Sequence, residues 1–182
     1  MFACWMRILQ AVPDSVLFLY ADNATAEINL RQTAQQYGVA PKQLVFATRV
    51  PTPAYLARYR VADLFLDTLP YNAGATASEA LWAGLPVLTC MGASFAGRMA
   101  ASLLTAIELP ELITQSLPEY ESLAIELATD AAKMAKIKAK LAENRLTTAL
   151  FNTALSTRNI ETAYRQMYEN HKAGLTPTHI FI

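Results

Sequence analysis

The feature that most limits what this chain can fold into is a regular exchange of short apolar runs with longer amphipathic stretches. Ser15-Val-Leu-Phe-Leu-Tyr20 is a continuous apolar run, as a strand buried on both faces requires. Leu44-Val-Phe-Ala47, Leu64-Phe-Leu66 and Pro86-Val-Leu-Thr89 repeat the pattern. Phe2, Trp5, Met6 and Leu9 recur at helical spacing, which predicts a helix over 2–11. Further helices are expected over 24–37 (Leu30, Ala34 and Tyr37 on one face, Gly38 at its end), from Pro53 to Arg60, over 75–83 up to Gly84, and over 96–105. Strands separated by helices call for parallel pairing with right-handed crossovers, so the expected class is a doubly wound parallel α/β layer. From Pro118 onward no strand is read. Residues 119–129, 131–145 and 153–172 read as helices, the last with Ile160, Tyr164, Met167 and His171 on one stripe. The expected organisation is a Rossmann-like core over 1–117 with a helical extension, 118–182, packed on the same domain.

Composition narrows the function classes. Of 182 residues, 53% are hydrophobic and 16% charged, so the chain can bury a core and is not disordered by composition. Fifteen basic residues balance fifteen acidic ones, which argues against a nucleic-acid or anionic-membrane partner held by bulk charge. Lys133, Lys136, Lys138 and Lys140 read as a solvated helix face. The longest uncharged run, 80–97, is broken by Gly84, Pro86 and Gly92 and is no membrane span. Arg7 interrupts the apolar N-terminus, and no signal-peptide pattern is present. Cys4 and Cys90 have no metal or redox spacing and read as buried thiols in a reducing compartment, hence a cytoplasmic location. No metal cluster or cofactor motif is recognisable, so neither is expected.

In open α/β sheets, ligands bind beyond the carboxyl ends of the strands. Three segments leave those ends: 48–52, 67–79 and 90–95. In the second, Ala73, Gly74, Ala75 and Thr76 lead directly into a helix. Small side chains let a phosphate reach the free N–H groups and positive end of that helix. Thr76 adds a hydroxyl, and Glu79, one turn on, suits the vicinal hydroxyls of a ribose. Thr76-Ala-Ser-Glu79 is equally a capping box, in which threonine and glutamate satisfy each other's backbone. Spacing alone leaves both readings open. Tyr55 and Arg58 share a helix face, where a tyrosine can lie on a base and an arginine can meet a diphosphate. Both also fit an ordinary surface helix with a packed tyrosine. Arg98 begins the helix after the third segment. His171 and His179 have no catalytic constellation around them, and no catalytic residue is assigned.

Several stretches resemble a known family. Ala62-Asp-Leu-Phe-Leu-Asp-Thr68, Pro70-Tyr-Asn72, Ala80-Leu-Trp-Ala-Gly-Leu-Pro-Val-Leu-Thr89 and Ala96-Gly-Arg-Met-Ala-Ala-Ser102 are similar to the C-terminal catalytic lobe of O-GlcNAc transferases and their SPINDLY-like relatives. Leu150-Phe-Asn-Thr153, Tyr164-Arg-Gln-Met-Tyr168 and Pro177-Thr-His-Ile180 extend the likeness over nearly the whole chain. The resemblance implies a two-lobed GT-B glycosyltransferase that moves a sugar, usually from UDP-GlcNAc, to serine or threonine without a metal. It implies that the loop up to Val50 meets the uracil, that Tyr55 lies against the base, that Arg58 and Gly74-Ala75-Thr76 face the diphosphate, and that Glu79 holds the ribose.

The chain departs from the family pattern at these same places. The family usually carries His-Thr-Thr at Gly74-Ala75-Thr76, aspartate at Glu79, histidine at Tyr55, and in many members lysine at Thr52. Each lost charge-assisted donor is worth roughly 1.5–3 kcal/mol. The resemblance also places the acceptor groove in an N-terminal lobe outside this chain. The expectation is therefore a UDP-sugar-binding lobe, inactive alone, working with a separate N-terminal lobe or as a homo-oligomer through helices 2–11 and 153–172. The competing expectation is a non-catalytic module that binds a nucleotide or a protein.

Overall fold

The computed structural model describes residues 1–182. Five strands and eight α-helices run in the order α1 (Phe2–Ala11), β1 (Leu17–Tyr20), α2 (Ala24–Gln36), β2 (Leu44–Ala47), α3 (Thr52–Arg58), β3 (Phe65–Leu66), α4 (Ala75–Ala83), β4 (Val87–Cys90), α5 (Met99–Ala106), β5 (Ile113–Thr114), α6 (Leu117–Thr129), α7 (Ala131–Thr147) and α8 (Thr153–Lys172). Every strand pair is parallel, as the alternation of apolar runs and helices requires.

The strands are hydrogen-bonded as two groups. β1 pairs with β2, with Leu17 opposite Leu44. β3, β4 and β5 form a second group with β4 in the centre. β5 is a fifth strand beyond those the sequence suggests. It has only two residues, too few to carry a periodicity, and it follows a 3-10 turn at Pro110–Leu112.

Packing explains why β4 is central. All four of its residues are buried, with helices on both faces. Ala77, Ala80 and Leu81 of α4 pack with Val87, Leu104, Leu112 and Leu141 in the largest core cluster. Burying each such leucine stabilises the fold by about 1.5–3 kcal/mol. On the other face, Cys4 and Ile8 of α1 meet Leu88, Cys90, and Tyr120 and Ala124 of α6. Arg7 reinforces this contact by donating to both oxygens of Glu121 on α6, at 3.0 and 2.8 Å. Met6 and Leu9 pack instead with Leu17 and Leu44, so α1 is shared by both strand groups.

Side-chain caps fix several helix starts. Asn23, Ser116, Asp130 and Asn152 each accept a backbone N–H at the first turn of α2, α6, α7 and α8. α6 starts ahead of Pro118, which sits in its first turn where no N–H is needed. α2 ends at Gln36, so Tyr37 is its exposed C-cap rather than a face residue. Gly84, at φ +90°, closes α4.

The two helices expected to be exposed together differ sharply. The apolar face of α1 lies in the core, and Met6 is fully buried. α8 buries no residue, and Ile160, Tyr164, Met167 and Tyr168 all face solvent. No helix is long and apolar enough to cross a membrane.

Candidate functional site

The connection from β3 to α4 is held by one buried carboxylate. Asp67 follows β3 directly and is 1% exposed. Its Oδ1 accepts the Ala73 N–H at 2.7 Å, and its Oδ2 accepts the Thr89 hydroxyl at 2.6 Å. The Asp67 carbonyl accepts the Tyr120 hydroxyl at 3.0 Å. The loop is thereby tied to β4 and α6 before α4 begins. Burial pushes the Asp67 carboxyl above its usual range, and the donors from Thr89 and Ala73 oppose that rise. Asn72 is also buried. Its Nδ2 donates to the Thr68 carbonyl at 2.7 Å, while its Oδ1 has no protein partner. The third connection packs against the second: the Asn72 N–H donates to the Ala96 carbonyl at 3.0 Å. Gly97 suits this close approach, since a Cβ would lie 3.2 Å from both the Gly92 Cα and the Pro70 carbonyl and would push them apart by a few tenths of an ångström.

α4 starts without a side-chain cap. Gly74 is its N-cap, and the first intrahelical bond runs from the Ser78 N–H to the Gly74 carbonyl. The N–H groups of Ala75, Thr76 and Ala77 precede that bond and have no intrahelical acceptor. Thr76 is therefore the second helical residue, not the cap, and the capping box that its spacing to Glu79 allowed does not form. Ala75 and Thr76 are exposed and Gly74 is half-buried. A cavity of about 330 Å³ opens in front of them, lined by Leu66, Asp67, Thr68, Asn72, Gly74 and Thr76 among others. An uncapped helix start beside a cavity favours an anion.

Glu79 is occupied elsewhere. Its Oε2 accepts the Tyr55 hydroxyl at 2.9 Å, which joins α3 to α4. With the Tyr55 proton on Glu79, the Tyr59 hydroxyl donates to that of Tyr55 and lies 3.3 Å from the Thr76 carbonyl. The two rings meet edge to face with centroids 5.4 Å apart. Burial raises both phenols above their ordinary values, Tyr59 the more strongly. Arg58 donates from Nη1 to the Thr48 carbonyl at 2.7 Å, bracing the connection that carries half-buried Val50. Arg98 is exposed at the end of the 3-10 turn Ala96–Arg98 and makes no ion pair with these groups.

The structure thus links Tyr55, Thr76 and Glu79 through one hydrogen-bonded cluster, sets Val50 on the β2–α3 connection and places Arg58 at the end of α3, with its side chain on that connection. Two members escaped the reading of the sequence. Asp67 had a legible signal, an acid closing a buried apolar strand, which must be satisfied by local donors. Tyr59 had one too, its four-residue spacing from Tyr55, which sets the two rings on one face; its contact with the Thr76 carbonyl, seventeen positions away, left no mark in the sequence.

A parallel α/β lobe with its polar loops gathered at the carboxyl ends of the strands is the architecture of many ligand-binding folds. Comparison with known proteins narrows this to one family. The pattern of Glycosyl transferase family 41 matches residues 1–160, and the chain belongs to that family. It is 36% identical over 176 residues to a probable UDP-N-acetylglucosamine–peptide N-acetylglucosaminyltransferase SEC of Arabidopsis thaliana, covering 96% of this chain and 18% of the relative. It is 32% identical to the UDP-N-acetylglucosamine–peptide N-acetylglucosaminyltransferase of Caenorhabditis elegans, covering 97% and 15%. A probable SPINDLY protein of Solanum lycopersicum is 31% identical, covering 96% and 19%. A mutant of the Thermobaculum terrenum O-GlcNAc transferase superposes with a TM-score of 0.87 at 33% identity, over 93% of this chain and 33% of that one. The chain therefore spans less than a fifth of these curated relatives and a third of the solved structure.

Proposed function

We propose that this chain is the donor-binding lobe of an O-linked N-acetylglucosaminyltransferase-like glycosyltransferase and that it takes a UDP-sugar, UDP-GlcNAc by preference. The observation that carries this reading is the uncapped start of α4 at Gly74–Thr76, open to a cavity, in a chain whose relatives are named for transfer from UDP-N-acetylglucosamine. In this reading the N–H groups of Ala75 and Thr76 receive the diphosphate, with the helix dipole favouring the charge. Arg58 adds a cation from the last turn of α3, and backbone groups up to Val50 meet the uracil. Tyr55 lies beside the base, and Glu79 offers its remaining oxygen to a ribose hydroxyl. No residue here serves as a catalytic base. The acceptor groove belongs to a second lobe, supplied by another segment or another copy of the chain, so the lobe alone does not turn over. The free, buried Cys4 and Cys90 suit a reducing cytoplasm.

A second reading is a non-catalytic remnant that binds a nucleotide or a protein. It draws on Arg58 being engaged with the Thr48 carbonyl and on the solvent-facing stripe of α8. Competition among UDP, GDP and dTDP for one site tests the uridine assignment and separates the donor lobe from a protein-binding remnant. UDP binding in preference to both supports the donor lobe. Preference for GDP or dTDP overturns the uridine assignment, and no binding by any of them leaves the protein-binding remnant.

A further inference from the structure

We infer that Tyr59 is a positioning residue of the donor site: acting through Tyr55, it holds Glu79 as the acceptor for a hydroxyl of the ligand's ribose. This inference rests on the reading above that Glu79 meets the ribose.

The hydrogen bonds of the cluster run in one direction. An ionised carboxylate only accepts, so the single Tyr55 proton goes to Glu79 Oε2, at 2.9 Å. The contact between the two hydroxyls is then made by the Tyr59 proton. Both protons therefore point along the path from Tyr59 through Tyr55 to Glu79. A hydroxyl that receives a hydrogen bond becomes a better donor, so the bond from Tyr59 strengthens the one on Glu79.

Tyr59 can act in this way because it is anchored and the helix carrying Tyr55 is not. α3 buries no residue. Tyr59 lies in the 3-10 turn that follows, Tyr59–Val61, and packs against the core cluster that holds Ala77, Ala80 and Leu81 of α4. Its ring meets Phe65 with centroids 6.5 Å apart and meets Tyr55 edge to face at 5.4 Å. Its hydroxyl lies 3.3 Å from the Thr76 carbonyl. The rigidity of the core is thereby passed to the Tyr55 ring, and from its hydroxyl to Glu79.

The same arrangement sets what a ligand must bring. Tyr55 and Tyr59 each have one proton, and both are spent inside the cluster. Glu79 Oε1 accepts no protein hydrogen bond and is open to solvent. The cluster thus presents an acceptor alone, which suits a sugar hydroxyl and rejects a phosphate or carbonyl oxygen.

Calorimetric titration of wild type and Tyr59→Phe with UDP and with its 2′-deoxy and 3′-deoxy analogues tests the role. Phenylalanine keeps the ring packing and removes only the hydroxyl. Tyr59→Phe should weaken UDP by about three- to ten-fold, as the loss of one neutral hydrogen bond does. It should leave unchanged the analogue that lacks the hydroxyl held by Glu79, because the path to the ligand is already cut there. In a Glu79→Ala background the effect of Tyr59→Phe on UDP should vanish for the same reason. A general loosening of the fold would instead weaken UDP and both analogues alike. That result, a loss that persists in Glu79→Ala, or no loss for UDP overturns the positioning role, while UDP binding by the wild type upholds the donor site. No UDP binding by the wild type defeats the donor-site reading and the positioning role together.

Discussion

The Tyr55 hydroxyl donates to Glu79 Oε2 at 2.9 Å, and this single bond couples the helix after β2 to the helix after β3. The carboxylate proposed to receive a ribose is thus aimed by the residue proposed to lie beside the base. Tyr55→Phe removes the bonds to both Glu79 and Tyr59 and should cost about 0.5–1.5 kcal/mol. Glu79→Gln retains an acceptor and should cost less. Urea denaturation of the three proteins checks the order, and an unchanged midpoint in Tyr55→Phe would show that the cluster contributes nothing.

Asp67 holds the β3–α4 connection through Ala73 and Thr89. Asp67→Ala leaves the Ala73 N–H without its acceptor and should destabilise by about 2–4 kcal/mol. Asp67→Asn can keep both contacts, accepting from Ala73 and donating to Thr89. The pH dependence has a defined sign. The folded carboxyl titrates above its ordinary 3.8, so in the window above that value the native state holds the proton more tightly. Through this group, stability falls as pH rises from 3.8 to the raised folded value. Denaturation across that window should show wild type losing stability relative to Asp67→Asn. A parallel course would mean the carboxyl is not displaced by its burial.

The C-terminal helices are proposed to fold with the core rather than apart from it. Leu141 of α7 is fully buried against α4 and α5 residues. Leu141→Ala should cost about 2–5 kcal/mol. It should shift one cooperative transition for the whole chain, seen alike by circular dichroism and tryptophan fluorescence. Two separated transitions would divide the chain into independent units.

Much of the fold was legible because burial on two faces writes a simple pattern. Leu44–Ala47 lies where the apolar run places it, and α4 ends at Gly84 as a left-handed cap demands. The division of the strands was not legible: an apolar run records burial, not which neighbour accepts its hydrogen bonds. The site was read less completely. Thr76 and Glu79 have capping-box spacing, yet the helix starts at Gly74 and Glu79 turns to Tyr55, because a partner on another helix competes with the local one. Likewise the apolar spacing of α1 and of α8 looks alike in sequence. Only packing distinguishes the buried Met6 from the exposed Tyr164.

The central claim is that the start of α4 and Arg58 bind a uridine diphosphate. Calorimetric titration of this chain with UDP, repeated on Arg58→Ala, tests it most directly. Losing a charge-assisted hydrogen bond costs about 1.5–3 kcal/mol, so the variant should bind about ten- to a hundred-fold more weakly. Saturable heat in the wild type, weakened to that extent in Arg58→Ala, is the predicted result. No heat at millimolar UDP, or equal affinity in both proteins, contradicts the account.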